Sequence, residues 1–294
     1  MTQSLSSLSF VPTPDSSGAA FGRSSDGVFV ALVGDHAFAM MPTRDGRHYL
    51  ASGWRIRRPI AEWKRDDFYG HGGDLADEAA FRAKVIEQAE HQRERTALAR
   101  RDVRSTAPTP WGPSQGATIY ADGVICHSTA GHGGFHLSAQ RNAQVNSTLR
   151  ASDGFYEEDE CWAIVALTFP DLFTAFERHA ADATLKDSFP DAWEAIFGVI
   201  LGPGESRTKD RQAFEAKHAG DWVVVSAITS DQQPGFVECV AVQGGQRGEG
   251  AQERRFLVPS AEYNVGRFGF VIEPERHAAY DGPSSFIGWQ GRAR

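Results

Sequence analysis

Residues 128–138 read STAGHGGFHLS and set His132 among Gly131, Gly133 and Gly134. An imidazole titrates near neutral pH and can accept or donate a proton there. Glycines around it predict a turn with left-handed or bulged backbone and outward-facing amides, a cradle for an oxyanion or phosphate. Ser128 and Thr129 add hydroxyls to the same turn. A second segment, YEEDECW over residues 156–162, lines up four acidic side chains that repel one another. Two arrangements relieve them. Either a helix N-terminus holds the charges, or one of Glu157, Glu158 and Asp159 faces the His132 turn as an orienting or acid/base partner. On that second arrangement His132, Glu157, Glu158 and Asp159 are the expected catalytic groups. Gly131, Gly133, Gly134, Ser128, Thr129, Trp111 and Tyr156 are the expected substrate contacts.

Other chemistries fit less well. His132 and His136 have the His-x-x-x-His spacing of two ligands on one helical turn, but two adjacent glycines disfavour a helix. Extended, the pair spans about 13 Å, too far to share one ion, so no metal is expected. Cys126 and His127 are neighbours on an expected strand and point to opposite faces. Cys161 follows four acids, which hold a thiol protonated. Both read as small core residues. No phosphate-loop or dinucleotide signature occurs, so no cofactor is expected.

The elements that carry these residues follow from periodicity. Alternation over residues 26–56, with turn signals at Gly34-Asp35 and Asp45-Gly46, predicts two or three antiparallel strands. A helix follows HGGD, capped by Asp74, with Phe81, Val85 and Ala89 on its inner face and Glu78 paired to Arg82. STAPTPWGP reads as a linker. Strands are then predicted at about 116–121, 124–129 and 134–138, with Asp122-Gly123 as a hairpin turn. Helices follow over residues 157–169 and 171–183 (the latter capped by Asp171), in FPDAWEAIFGVI and in SRTKDRQAFEAKHA. WVVVSAI, FVECVAV, RRFLVP and FGFVIEP complete the chain as strands around a QGGQRGEGAQ loop. Strands, then helices, then strands give an α+β fold, with antiparallel sheets and helices inserted between an N-terminal meander and C-terminal strands. The expected divisions are a flexible segment at 1–25, a small α+β domain at 26–104 and a main α+β domain at 105–294.

Composition narrows the partners. The 294 residues are 41% hydrophobic and 23% charged, and no apolar run is long enough to span a membrane. Three widely spaced cysteines suit a cytoplasmic setting. Residues 1–104 carry 15 Lys+Arg against 14 Asp+Glu, whereas residues 105–294 carry 15 against 24. That acidic main part argues against broad nucleic-acid binding. Arg55, Arg57, Arg58, Lys64 and Arg65 read as a solvated basic face.

TPWGPSQ, STAGHGGFHLS and YEEDECWAIVALTFP together resemble an uncharacterised domain family of bacterial plasmid and phage proteins. The shared pattern falls on Trp111 and Gly112, on Ser128, Thr129, His132, Gly133 and Gly134, and on Tyr156, Glu157, Glu158, Asp159 and Trp162. The likeness covers residues 108–180. It implies a mobile-element setting and an anti-defence role, and it supplies no reaction. Two functions are therefore expected to compete. One is an enzyme acting on a phosphate-bearing or nucleotide-like small substrate, with His132 as general acid/base. The other is a non-enzymatic binder, such as an inhibitor of a host defence protein, whose acidic surface docks on a basic partner.

Overall fold

The computed structural model describes residues 18–248 and 250–289. The first part of the expected flexible segment, residues 1–17, lies outside them. By Ala19 the chain is already a strand. Packing divides the chain into two compact units, Met1–Leu185 and Lys186–Arg294. Both mix helices with antiparallel sheets, the α+β class expected.

The first unit opens with a five-stranded meander of β1 (Ala19–Arg23), β2 (Phe29–Val33), β3 (His36–Pro42), β4 (His48–Trp54) and β5 (Asp74–Leu75). Small and branched residues alternate along it, so both faces can be covered. On one face α1 (Glu78–Ala97) lays Phe81, Val85 and Ala89 against Ala31, Val33, Phe38 and Leu75. Each such large apolar side chain contributes about 1.5–3 kcal/mol when fully buried. On the other face Ile60, Trp63 and Phe68 close over Val30, Ala39 and Met41. The helix starts one turn later than expected. Asp74 joins β5, and Asp77 caps α1 by accepting from the Ala80 amide at 2.8 Å. The pair Glu78–Arg82 forms on the exposed face at 3.0 Å.

A second five-stranded sheet has the order β12-β11-β10-β9-β6. Its strands are β6 (Arg101–Val103), β9 (Gly116–Ala121), β10 (Val124–Ser128), β11 (Gly133–Leu137) and β12 (Phe155–Glu157). The Pro-rich stretch before β9 folds as a two-stranded hairpin of β7 (Pro108–Thr109) and β8 (Gly112–Pro113). The β9–β10 turn falls at Asp122-Gly123 as expected, with Gly123 at φ +72°. After β11, Ser138 caps a short helix α2 (Ala139–Asn142), which was not foreseen.

The acidic segment does not open a helix. Tyr156 and Glu157 belong to β12, residues 158–161 turn, and α3 begins only at Trp162 (Trp162–Thr168). The aromatic pair Phe155-Tyr156 favours a strand, and β11 offers a free edge for it to pair with. α3 buries Ala163, Ile164, Val165 and Ala166 over that sheet. Nor does Asp171 cap the next helix. Thr174 does so for α4 (Ala175–Ser188), in a reciprocal pair with Glu177. The Glu177 amide donates to Thr174 Oγ1 at 3.1 Å, and the Thr174 amide donates to Glu177 Oε2 at 2.8 Å.

The second unit contains α5 (Pro190–Phe197) and α6 (Arg207–Lys217), with Gly198 closing α5 in the left-handed conformation. Its sheet runs β13-β14-β15-β16, formed by β13 (Trp222–Thr229), β14 (Phe236–Gln243), β15 (Glu253–Pro259) and β16 (Ala278–Ala279). FGFVIEP is not a regular strand. Gly266 and Gly269 bridge each other across a tight turn, so only Phe270 and Ile272 bond the edge of β13. Inside this unit the Glu238 carboxylate is fully buried. It is met by Arg255 at 2.9 Å, the Ser284 hydroxyl at 2.6 Å and the Ser285 amide at 2.8 Å.

Candidate active site

The four residues between β10 and β11 are tied into one turn. The Thr129 amide donates to the His132 carbonyl at 2.9 Å, and the Thr129 hydroxyl donates to the same oxygen at 2.5 Å. That hydroxyl also accepts from the His132 amide at 3.2 Å. His132 is thereby held at the corner with its side chain 59% exposed. Its amide is engaged within the turn and so takes no part in the expected cradle.

Two of the glycines instead allow close packing. A Cβ on Gly133 would lie 2.5 Å from Glu158 Oε2 and 2.6 Å from the His127 carbonyl. On Gly134, at φ +157°, it would lie 2.3 Å from the Tyr156 carbonyl and 2.5 Å from the Trp111 ring. All four distances are shorter than a Cβ tolerates. Gly131 has open space around it and carries no such constraint. The glycines therefore let β12 and Trp111 approach β11.

Strand alternation then sorts the acidic residues. Gly134 pairs with Glu157 and Phe135 with Tyr156. Glu157 therefore projects with Gly134 and Trp111, while Tyr156 and Phe135 project into the core. Glu157 Oε1 lies 3.9 Å from His132 Nδ1, and Asp159 joins them so that the three polar atoms fall within 4.8 Å of one another. The Glu157 carboxylate also accepts from the Asp159 amide at 2.8 Å and the Glu160 amide at 3.3 Å, which fixes it over the turn into α3.

The remaining candidates separate from this group. Glu158 points to the opposite face, beside Gly133 and Cys126. Burial first, and then the Glu158 charge, push the Cys126 thiol up to about 11, so it stays protonated. Cys161 is likewise raised, chiefly by burial. Tyr156 is 1% exposed. Its hydroxyl donates to Asn142 Oδ1 at 2.6 Å and accepts from the Ala151 amide at 3.1 Å. It anchors β12 and leaves no face for a ligand. Trp111 rests over Gly134 with its ring edge-on to Phe155 at 5.9 Å. Ser128 is exposed at the end of β10.

The neighbouring histidines are structural or separate. His127 is 6% exposed and its Nδ1 meets Ser114 Oγ at 3.1 Å. Ser114 donates onward to the Gly116 carbonyl, so it accepts from His127, which carries its proton on Nδ1. Burial holds His127 below the usual imidazole range, with the neighbouring His136 adding to the effect. His136 lies on β11, stacked on Phe155 at 4.5 Å, one strand length from His132. His132, Glu157 and Asp159 are the one close set of three metal-ligating groups among the described residues. Sequence spacing concealed it, because the members come from two distant segments. A divalent ion bound there would have to draw the donors closer, since bonds of about 2.0–2.2 Å put all donors within about 4.4 Å of one another.

Residues 104–219 match the model of a protein family described as a domain of unknown function (DUF7007). That range holds the whole His132–Glu157–Asp159 group. No curated protein matches the chain. No solved structure matches it either.

Proposed function

We propose that the His132 turn is the acid/base centre of an enzyme acting on a phosphate-bearing or nucleotide-like small molecule, in a cytoplasmic protein of plasmids or phages. The observation that carries this reading is the 3.9 Å approach of Glu157 Oε1 to His132 Nδ1, made by two segments distant in sequence. At that separation the pair is not yet a hydrogen bond. One water, or a small closure on substrate binding, completes it. Glu157 is anchored by two backbone amides and is a positioning residue: it holds a proton on Nδ1 and leaves Nε2 free to take one from substrate. Asp159 places a second carboxylate within 4.8 Å of a nitrogen of the same ring.

The test is turnover of a panel of nucleotides and phosphate esters by the full chain. His132→Ala is expected to lower kcat about 10²–10⁴-fold. Glu157→Gln is expected to lower kcat with KM unchanged, and chelator is expected to leave the rate unaltered. Turnover indifferent to His132→Ala overturns the reading, and loss of turnover in chelator reassigns the three groups to a metal.

A second reading, a non-enzymatic inhibitor docking on a basic protein, is favoured by one observation. His132, Glu158, Asp159 and Glu160 are all exposed on adjoining turns. Charge reversal at Asp159 and Glu160 would then slow association with that partner, more so at low salt.

A further inference from the structure

The face of the second sheet that carries Glu157 continues past Phe155 to a cavity of about 430 Å³. Its wall includes His136, Asn142, Arg150, Ser152, Asp153 and Gly154. Register aligns it with the His132 turn. Gly134 pairs with Glu157 and His136 with Phe155, so these residues project from one face. From His132 to His136 the strand advances about 13 Å. Trp111 fills the middle of that path, edge-on to Phe155, which in turn stacks on His136 at 4.5 Å.

Charge is distributed unevenly along this path. At the His132 end Glu157 and Asp159 repel an anion. At the cavity end stands Arg150. Its Nε and Nη2 close the end of α2 by donating to the Val145 and Ala143 carbonyls, and among the described residues no carboxylate pairs with it. Asp153 accepts from the Phe155 amide through Oδ1 alone, leaving Oδ2 for a ligand hydroxyl. The imidazole of His136 makes no hydrogen bond to any described residue.

We propose that this cavity binds the phosphate and sugar of a nucleoside monophosphate, whose base lies along His136, Phe155 and Trp111 toward the His132 turn. Arg150 takes the phosphate, and Asp153 with Ser152 takes the sugar hydroxyls. The inference rests on the proposed acid/base site for the identity of the reacting end, which is the base. Phosphate placed at His132 would instead face two carboxylates.

Calorimetric titration of the full chain with AMP, adenosine and inorganic phosphate tests it. AMP is expected to bind once per chain, with adenosine and phosphate each at least about tenfold weaker, the cost of one lost charge-assisted contact or of the ring contacts. Ser152→Trp, which fills the cavity, is expected to abolish binding. Arg150→Gln is expected to weaken it at least about tenfold, with a melting curve checking that α2 still holds. His132→Ala is expected to leave AMP affinity unchanged while removing turnover. No AMP binding at about 1 mM, phosphate binding as tightly as AMP, or unchanged affinity in both cavity variants overturns the proposal. If the cavity variants lose AMP but His132→Ala keeps full turnover, the acid/base reading fails and the subsite stands.

Discussion

At the scale of single residues, Gly134 shows what the sequence conceals. A glycine beside a histidine invites a reading in terms of what the turn presents to a ligand. Its neighbours give another cause, since Tyr156 and Trp111 occupy the space where a Cβ would stand. Gly134→Ala should therefore push β12 from β11, costing about 1–3 kcal/mol as an overpacking change. It should also carry Glu157 away from His132. Gly131→Ala, with open space around it, should leave the melting temperature unchanged within error. Equal melting of the two variants would mean that the glycines serve the turn's conformation instead. His132 itself was legible from the sequence, as a histidine framed by residues that bend or crowd the chain. Which of the three carboxylates face it, Glu157 and Asp159 but not Glu158, was not. That choice depends on Tyr156 and Glu157 being in a strand, because alternation sends Glu157 and Glu158 to opposite faces.

Among the elements, periodic ones could be read directly and irregular ones could not. α1 shows its inner face as Phe81, Val85 and Ala89, and all three are buried. The three central strands of the second sheet fall within a residue or two of expectation, because Asp122-Gly123 and the glycine-framed turn punctuate them. Helix starts were misplaced at Asp74 and Asp171, both short polar residues near a competent cap. The distinction lies in tertiary context: Asp74 is taken by β5, and Pro170–Leu172 form a separate single turn before Thr174. The Thr174–Glu177 pair should then stabilise α4. Thr174→Ala is expected to cost about 1 kcal/mol in denaturant unfolding, within the 0.5–2 kcal/mol range of helix caps. Asp171→Ala is expected to be close to neutral. The reverse order would restore Asp171 as the cap.

At the scale of the molecule, the first unit runs from strands through α1 to further strands and helices, and the second from helices to strands, but their division could not be read from composition. The Pro-rich stretch at residues 105–113 looked like a boundary, yet its hairpin leads directly into a sheet of the same unit. A pH dependence follows from the half-buried His36 and His91 and the buried His127 of that first unit. Burial is the largest influence on His36, His91 and His127, and it lowers all three. A group depressed in the folded state contributes stability that is complete above its unfolded value, about 6.5 for histidine, and is lost as pH falls through the folded value. Glu177 adds a later step. Burial raises it, but hydrogen bonds from Arg100 and the Thr174 amide more than offset this, so it titrates below its usual range. Its contribution is complete above about 4.3 and disappears further into acid. The melting temperature should thus begin to fall below about pH 6.5. His127→Gln is expected to reduce that first decline. A flat profile from pH 7 to pH 5 would show that these histidines titrate alike in both states.

The central claim is that Glu157 orients His132, and the proton on the imidazole reports it most directly. A long-range ¹⁵N–¹H correlation spectrum of the ¹⁵N-labelled chain, taken at a pH where His132 is neutral, reads which ring nitrogen carries hydrogen. With Nδ1 facing Glu157 Oε1 across 3.9 Å, the wild-type protein should hold the proton on Nδ1, leaving Nε2 as the free base. In Glu157→Gln that preference should relax toward the Nε2–H form of an unrestrained histidine. An Nε2–H imidazole in the wild type, unchanged by Glu157→Gln, would contradict the account.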